Sequence, residues 1–549
     1  MKELLLEKLE EVLRKYGYTN KISLERPKDE NLGDYATNVA FLLAKGLGRN
    51  PMELAGELAK ELSYGGIQAS ALRGFINFTF KEELIREEFR KLLQLGENYY
   101  KQDLGKGKRV LVEFVSANPT GPLHLGHGRG AVVGDVISRL LSECGYQVEK
   151  EYYINDAGYQ VYLLGVSILY RYYQIFGVED QRLMKLFEEE GYKGEYVVEL
   201  AQKLKEVHGD KLLNMDQSKA IDIAKDFGVE LLLEEIKNTL DYMGVHFDNW
   251  QSERSLYEEG LVEKLIEQLK ERGLVYEKDG ALWFASSQFG DDKDRVVRKS
   301  DGYYTYFASD IAYHYLKFQK GYHKAINVWG ADHHGYLPRL KAALKALGIP
   351  DDWLSVEFVQ MVRLFKEGKE VRMSKRAGTF VTLKELLDEV GSDAVRFVFL
   401  TKRSDTPLDV DVDILKSNTS ENPVFYVQYA HARIRGVFRE AKNRYGWDVD
   451  TMDFSTYLQK LTEQKEIALM KKTLLFKDEI LDACQKLLPH LIVYNLIEIS
   501  KDFHNYYNHY RIILEDQELT KARLALLKGL QVMLRYGLKL IGVNAPESM

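Results

Sequence analysis

One stretch limits the possible folds of this chain more than any other: RVLVEFVSANPTGPLHLGHGRGAVVGDVISRLL, residues 109–141. A short apolar strand, RVLVEFV at 109–115, runs into a turn holding Pro119, Gly121 and Pro122. Pro and Gly together end any regular element. A helix follows at once, with Val133, Val136, Ile137 and Leu140 at helical spacing. QVEKEYYIND, 147–156, reads as a second strand. Strand, helix and strand in this order make a βαβ unit with parallel strands and a right-handed crossover. A helix that starts at the carboxyl end of a parallel strand offers unpaired backbone N–H groups and the positive end of its dipole, so it is an anion site. Gly126, Gly128 and Gly130 let a ligand come close to the backbone there, and His124 and His127 stand at the mouth, where they can donate to phosphate oxygens.

Three other readings of this turn compete. Gly126-x-Gly128-x-x-Ala131 formally fits a dinucleotide fingerprint, with Glu149 or Glu151 as the ribose acid. That fingerprint places its first glycine directly after the strand, and here the SANPTGPLHL segment intervenes. His124 and His127 also have the spacing of two metal ligands, but no third ligand lies nearby in sequence. The plainest reading is a capped helix whose histidines only satisfy local hydrogen bonds.

The rest of the chain divides around this unit. Residues 1–100 read as a small α+β domain, followed by the polar linker KQDLGKGK at 101–108. The α/β part is expected over 108–390, interrupted by a mostly helical, charged insertion at about 158–275. Its rhythm resumes with KAINVWG at 324–330, the helix YLPRLKAALKALG and then SVEFVQMVRLF, so the two halves of the sheet are far apart in sequence. From about 390 strand signals vanish, and 391–549 reads as a helical domain. At 549 residues the chain is long enough for such a multidomain build. Its net charge of −7 gives no global attraction to nucleic acid, although a local basic patch on an acidic protein can still bind phosphate. Cys144 and Cys484 are the only cysteines, which argues against a disulfide framework or a Cys-rich zinc site. The opening MKELLLEKLEEVLRKYG is too charged for a signal peptide and no apolar run reaches membrane-spanning length, so a soluble cytoplasmic protein is expected.

HLGH at 124–127 resembles the HIGH signature of class I aminoacyl-tRNA synthetases, whose second signature, KMSK, follows the second half of the sheet. This chain has RMSK at 372–375, with Arg372 in place of the first lysine and the positive charge kept. VEFVSANPTGPLHLGHGRGAVVGD, YYINDAG, TYFASDIAYH, VWGADHHGY, GSDAVRF and NPVFYVQYAHAR are similar to the arginyl-tRNA synthetases across nearly the whole chain. The resemblance implies a Rossmann-like parallel-sheet catalytic domain with a helical insertion, a small N-terminal α+β domain that touches tRNA, and an all-α anticodon-binding domain. It implies ATP-dependent activation of L-arginine and transfer to the 2′-OH of the terminal adenosine of tRNA(Arg). The expected partners are tRNA(Arg), L-arginine and ATP, with Mg²⁺ arriving on the nucleotide, no structural metal, no membrane, a monomeric state, and tRNA required for activation.

The same resemblance implies roles for single residues. His124, His127 and Lys375 stabilise the transferring phosphates, and Gly126, Gly128, Met373, Ser374 and Arg376 complete the ATP site. Ser116 and Asn118 contact the α-amino and carboxyl end of arginine, with His127 adjoining. Glu113, Tyr306 and Asp310 shape the guanidinium pocket, and Asp332 stands where some relatives carry a glutamine. Chemistry supports this independently: a guanidinium wants carboxylates in a fixed fork, Glu113 ends the strand before the Pro/Gly turn, and Tyr306 and Asp310 share a face if their stretch is helical. ADHHG at 331–335 also suggests a metal phosphoesterase, which would need further ligands at other strand ends. A catalytically silent RNA-binding protein on the same fold is another alternative. In the C-terminal part, Phe503, Tyr506, Tyr507 and Tyr510 recur at helical spacing, as a core stripe or as platforms for unpaired bases.

Overall fold

The computed structural model describes residues 1–371 and 381–549. At its centre lies a five-stranded, all-parallel sheet. Across the sheet the strands are Leu354–Val359, Lys324–Gly330, Arg109–Glu113, Gln147–Ile154 and Asn249–Ser252. In chain order this is a 5-4-1-2-3 arrangement, so the strand order reverses between Arg109–Glu113 and Lys324–Gly330. In open α/β sheets ligands bind at the carboxyl ends of strands beside such a reversal. The Pro/Gly turn leaves Arg109–Glu113 at this place and opens the helix Leu125–Glu143, called here the signature helix. The helix Tyr306–Gln319, the pocket helix, precedes Lys324–Gly330.

Several short strands escaped the sequence pattern, among them the antiparallel sheet of Val275–Lys278, Ala281–Phe284 and Arg295–Arg298. Asn249–Ser252, within the stretch read as a helical insertion, is the edge strand of the main sheet and pairs with Glu151–Ile154. Leu408–Asp411, beyond the point where strand signals fade, pairs in parallel with Val362–Lys366. SVEFVQMVRLF forms two strands rather than one: Leu354–Val359 stays in the main sheet, and after Gln360 and Met361 the chain enters a small sheet as Val362–Lys366. The hairpin partner Lys369–Val371 completes that sheet and leads directly to residue 372.

Around this core, Tyr35–Thr37, Phe75–Phe80 and Ile67–Leu72 form an antiparallel N-terminal sheet flanked by helices. The helices Pro423–Tyr445, Gln464–Lys486, His490–His509 and Gln517–Leu540 build the C-terminal part. Phe503 and Tyr506 of the aromatic stripe are buried in its core, and the Tyr506 hydroxyl donates to Glu466 at 2.6 Å. Tyr507 is only partly buried and faces the Arg433 guanidinium, 4.1 Å from its ring centre. Among the described residues no helix is long and apolar enough to cross a membrane.

Candidate active site

A cavity of about 2200 Å³ opens at the carboxyl ends of the central strands. Glu113, Ser116, Asn118, His124, Gly126 and His127 line it from the Pro/Gly turn, and Tyr306, Asp310 and Asp332 from the second half of the sheet. Residues separated by about two hundred positions in sequence thus share one chamber, as the parallel pairing of Arg109–Glu113 with Lys324–Gly330 requires. Gly128 is not among the lining residues. A Cβ there would lie 2.5 Å from Leu383 and 3.1 Å from Phe399, so this glycine allows close helix packing rather than close ligand approach. Met373, Ser374, Lys375 and Arg376 lie outside the described residues.

The signature helix is capped by histidines. His124 at the N-cap accepts from the His127 backbone N–H at 3.3 Å, and His127 Nδ1 accepts from the His124 N–H at 3.2 Å. Their rings stack with centres 3.5 Å apart. Because both Nδ1 atoms accept, the ring hydrogen of each neutral imidazole is on Nε2. The capping that the plain reading expected is therefore real, and it prepares two ring donors beside the helix N-terminus. The metal reading gains nothing, since no group of three His, Cys, Asp or Glu side chains suited to an ion exists among the described residues. In ADHHG, Asp332 and His333 are exposed and His334 stacks on Phe358 with centres 4.1 Å apart.

The flanks of the second signature meet the first. Thr382 bridges to His124, and the Leu383 N–H donates to the Leu123 carbonyl at 2.9 Å. The buried Arg129 of the signature helix reaches the same region. Its guanidinium donates to the carbonyls of Gln360 (3.0 Å), Arg403 (3.0 Å) and Thr406 (2.6 Å), in loops next to the small sheet. With no carboxylate bonded to it among the described residues, burial pushes Arg129 down to about 10.

The pocket helix presents Tyr306, Asp310, Tyr313, His314 and Lys317 on one face. The buried Asp310 carboxylate accepts from the Tyr336 hydroxyl at 2.7 Å and sits 3.2 Å from His314 Nδ1. Burial works against its charged form, but the hydrogen bonds from His314 and Tyr336 and the nearby Lys317 outweigh this and hold its carboxyl below the usual range. Glu113, expected to help shape the guanidinium pocket, is already engaged: one oxygen accepts from Lys317 at 2.8 Å and the other from the Ser116 hydroxyl at 3.0 Å. Sequence reasoning missed Glu253. It lines the cavity, accepts from the Ser309 hydroxyl at 3.0 Å, and is pushed up to about 7, chiefly by burial and further by Asp156 and Asp310. Opposite, Asn118 donates to Gln160. The turn between them is strained: Val115 (φ 65°) and Ser116 (φ 43°) are both left-handed. The Tyr153 N–H, donating to Ser116 Oγ at 3.0 Å, and Asn155, donating to the Ser116 carbonyl at 3.3 Å, hold it in place.

A chamber with an anion site at one end and buried carboxylates at the other suits a nucleotide beside a cationic small molecule. Comparison with known proteins agrees. The family described as "tRNA synthetases class I (R), catalytic domain" matches residues 88–434, "DALR anticodon binding domain" matches 427–549, and "Arginyl tRNA synthetase N terminal domain" matches 1–80. The arginine–tRNA ligase of Aquifex aeolicus is 55% identical, covering 100% of both chains. That of Bacillus subtilis is 42% identical over 100% of this chain and 99% of its own. A solved arginyl-tRNA synthetase structure from Campylobacter jejuni is 38% identical, covers 86% of this chain and 100% of its own, and superposes with a TM-score of 0.77.

Proposed function

Because this chain belongs to the arginyl-tRNA synthetase family of the class I synthetases, it is an arginine–tRNA ligase, and we propose how its cavity carries out the reaction. The arginine carboxylate attacks the α-phosphorus of ATP, giving arginyl-adenylate and pyrophosphate. The 2′-OH of the terminal adenosine of tRNA(Arg) then attacks the activated carbonyl and releases AMP. Neither step needs a covalent bond to the enzyme; both depend on positioning and on stabilising charge.

The triphosphate lies at the N-terminus of the signature helix, where Gly126 makes room for the His124 ring, 3.0 Å from where a Cβ would stand, and His124 and His127 donate from Nε2. Lys375 and Arg376 neutralise the departing pyrophosphate, and Met373 and Ser374 complete the ATP site. The observation that carries this is the Thr382–His124 bridge, which brings the end of the second signature's segment to the first. Mg²⁺, held mainly by the nucleotide and water rather than by side chains of this chain, would supply further charge neutralisation of the phosphates. Asp310 and Glu253 take the guanidinium, with the Tyr306 ring alongside. Ser116 and Asn118 face the α-amino and carboxyl end, and Asp332 edges the pocket. Arg433, Tyr429 and Tyr507 give the helical domain a cationic, aromatic surface suited to unpaired anticodon bases. The enzyme works in the cytoplasm as a monomer and activates arginine only with tRNA bound.

A charging assay offering each of the twenty amino acids with total bacterial tRNA tests the reading. Arginine alone should be transferred; equal transfer of lysine would overturn it. Lys375→Ala should slow activation by about 10²-fold, the usual loss for one transition-state donor. Activation near the wild-type rate would remove Lys375 from the mechanism.

A further inference from the structure

We propose that Lys317 is a positioning residue for substrate arginine: it cancels the charge of one pocket carboxylate and, through Asn327 and His314, orients the other. This rests on the arginine-activating reading above and extends it to groups with no part in that account.

Lys317 is 1% exposed, at the far end of the pocket helix from Tyr306. Buried ammonium groups need partners. Its Nζ donates to Glu113 Oε1 at 2.8 Å and to Asn327 Oδ1 at 3.1 Å, and lies 4.2 Å from the centre of the Tyr313 ring. The first contact sets the charge of the site. Glu113, Asp310 and Glu253 all line the cavity, whereas the side chain of arginine brings a single positive charge. With Glu113 neutralised from within, Asp310 and Glu253 are left for the guanidinium.

The second contact sets geometry. Asn327 Oδ1 faces Lys317, so its amide nitrogen faces His314 Nε2, 2.8 Å away. Nε2 therefore accepts, and the ring hydrogen sits on Nδ1. Nδ1 lies 2.8 Å from the Asp310 carbonyl and 3.2 Å from its Oδ1. Asp310 is thus held by His314 on one side and Tyr336 on the other. The chain Glu113–Lys317–Asn327–His314–Asp310 joins two carboxylates of the chamber through three residues each 1% exposed or less. Filling space would need none of this polarity, and each link is costly if left half-made.

The test is steady-state aminoacylation with the full-length enzyme, varying arginine and ATP separately. In Lys317→Met the arginine KM should rise about tenfold or more, while kcat and the ATP KM stay within about twofold, the pattern for lost uniform binding of one substrate. Adding Glu113→Gln to Lys317→Met should cost less than Glu113→Gln costs alone, because removing both members of a buried pair is milder than removing one. Asn327→Asp, which offers His314 Nε2 an acceptor and draws the hydrogen from Nδ1, should also raise the arginine KM; it decides the matter alone if Lys317→Met does not fold. An unchanged arginine KM in folded variants, or independent effects in the double variant, overturns the inference. Wild type that charges arginine beside such variants refutes this inference only, whereas wild type that fails to charge arginine refutes the reading beneath it.

Discussion

Val115 is a β-branched residue in left-handed backbone, which costs roughly 1–2 kcal/mol. The surrounding hydrogen bonds hold it there, and as a result Ser116 and Asn118 turn into the chamber rather than continuing the strand. Glu253 makes the pocket sensitive to pH. Its carboxyl, raised to about 7, is mostly protonated below that value and ionised above it. A cationic substrate favours the ionised form, so the arginine KM should fall as pH rises from about 6 to 8. Measured KM–pH profiles should show this inflection in wild type and lose it in Glu253→Gln, whose KM is also higher. Tyr306 and Asp310 were legible in the sequence because helical spacing puts them on one face. Glu253 was not: ERSLYEEG reads as any solvated helix start, and only the edge strand Asn249–Ser252 delivers it to the cavity.

The signature helix serves two partners. Its N-terminus faces the cavity, while Gly128 and Arg129 fasten it to Leu383, Phe399 and the loops next to the small sheet. Gly128→Ala would force a methyl group against the Leu383 side chain and should destabilise the protein by about 1–3 kcal/mol. Because the same contact seats Thr382 at His124, the variant should also slow arginine-dependent ATP–pyrophosphate exchange. Thermal melts and exchange rates check both; an unaltered rate at lower Tm would separate packing from catalysis. The helix itself was plain from its apolar repeat. Leu408–Asp411 was not, since four residues, LDVD, with two acids read as a loop until Val362–Lys366 pairs with them.

The three regions are fastened to one another by polar ties, several of them buried. Asp478, on a C-terminal helix, accepts from the Tyr35 hydroxyl of the N-terminal sheet at 2.7 Å, and Lys471 on the same helix pairs with Asp34 at 2.8 Å. Arg396 joins more distant parts: it pairs with the buried Asp135 of the signature helix and donates to the carbonyls of Met243 and Ile541, each at 2.9 Å. Burial disfavours the Asp135 carboxylate, yet Arg396, Arg139 and Lys150 keep its carboxyl below the usual range. Its contribution to stability is therefore present at neutral pH and fades only as pH falls through that lowered value. Arg396→Met removes the closest of three cations around Asp135, leaving Arg139 and Lys150 beside it, and should cost about 1–3 kcal/mol, read as an earlier first transition in urea, with less lost when Asp135→Asn is added. The order of domains could be read from the sequence, but ties between GSDAVRF and a carbonyl near the far end of the chain could not, because no local pattern marks them. The guanidinium of Arg396 packs over Gly542 and closes on Ile541, so the signature helix gets its last support from residues translated long after it. A nascent chain paused on the ribosome before that point would hold that helix without its final brace, and charging should begin only once those residues have emerged.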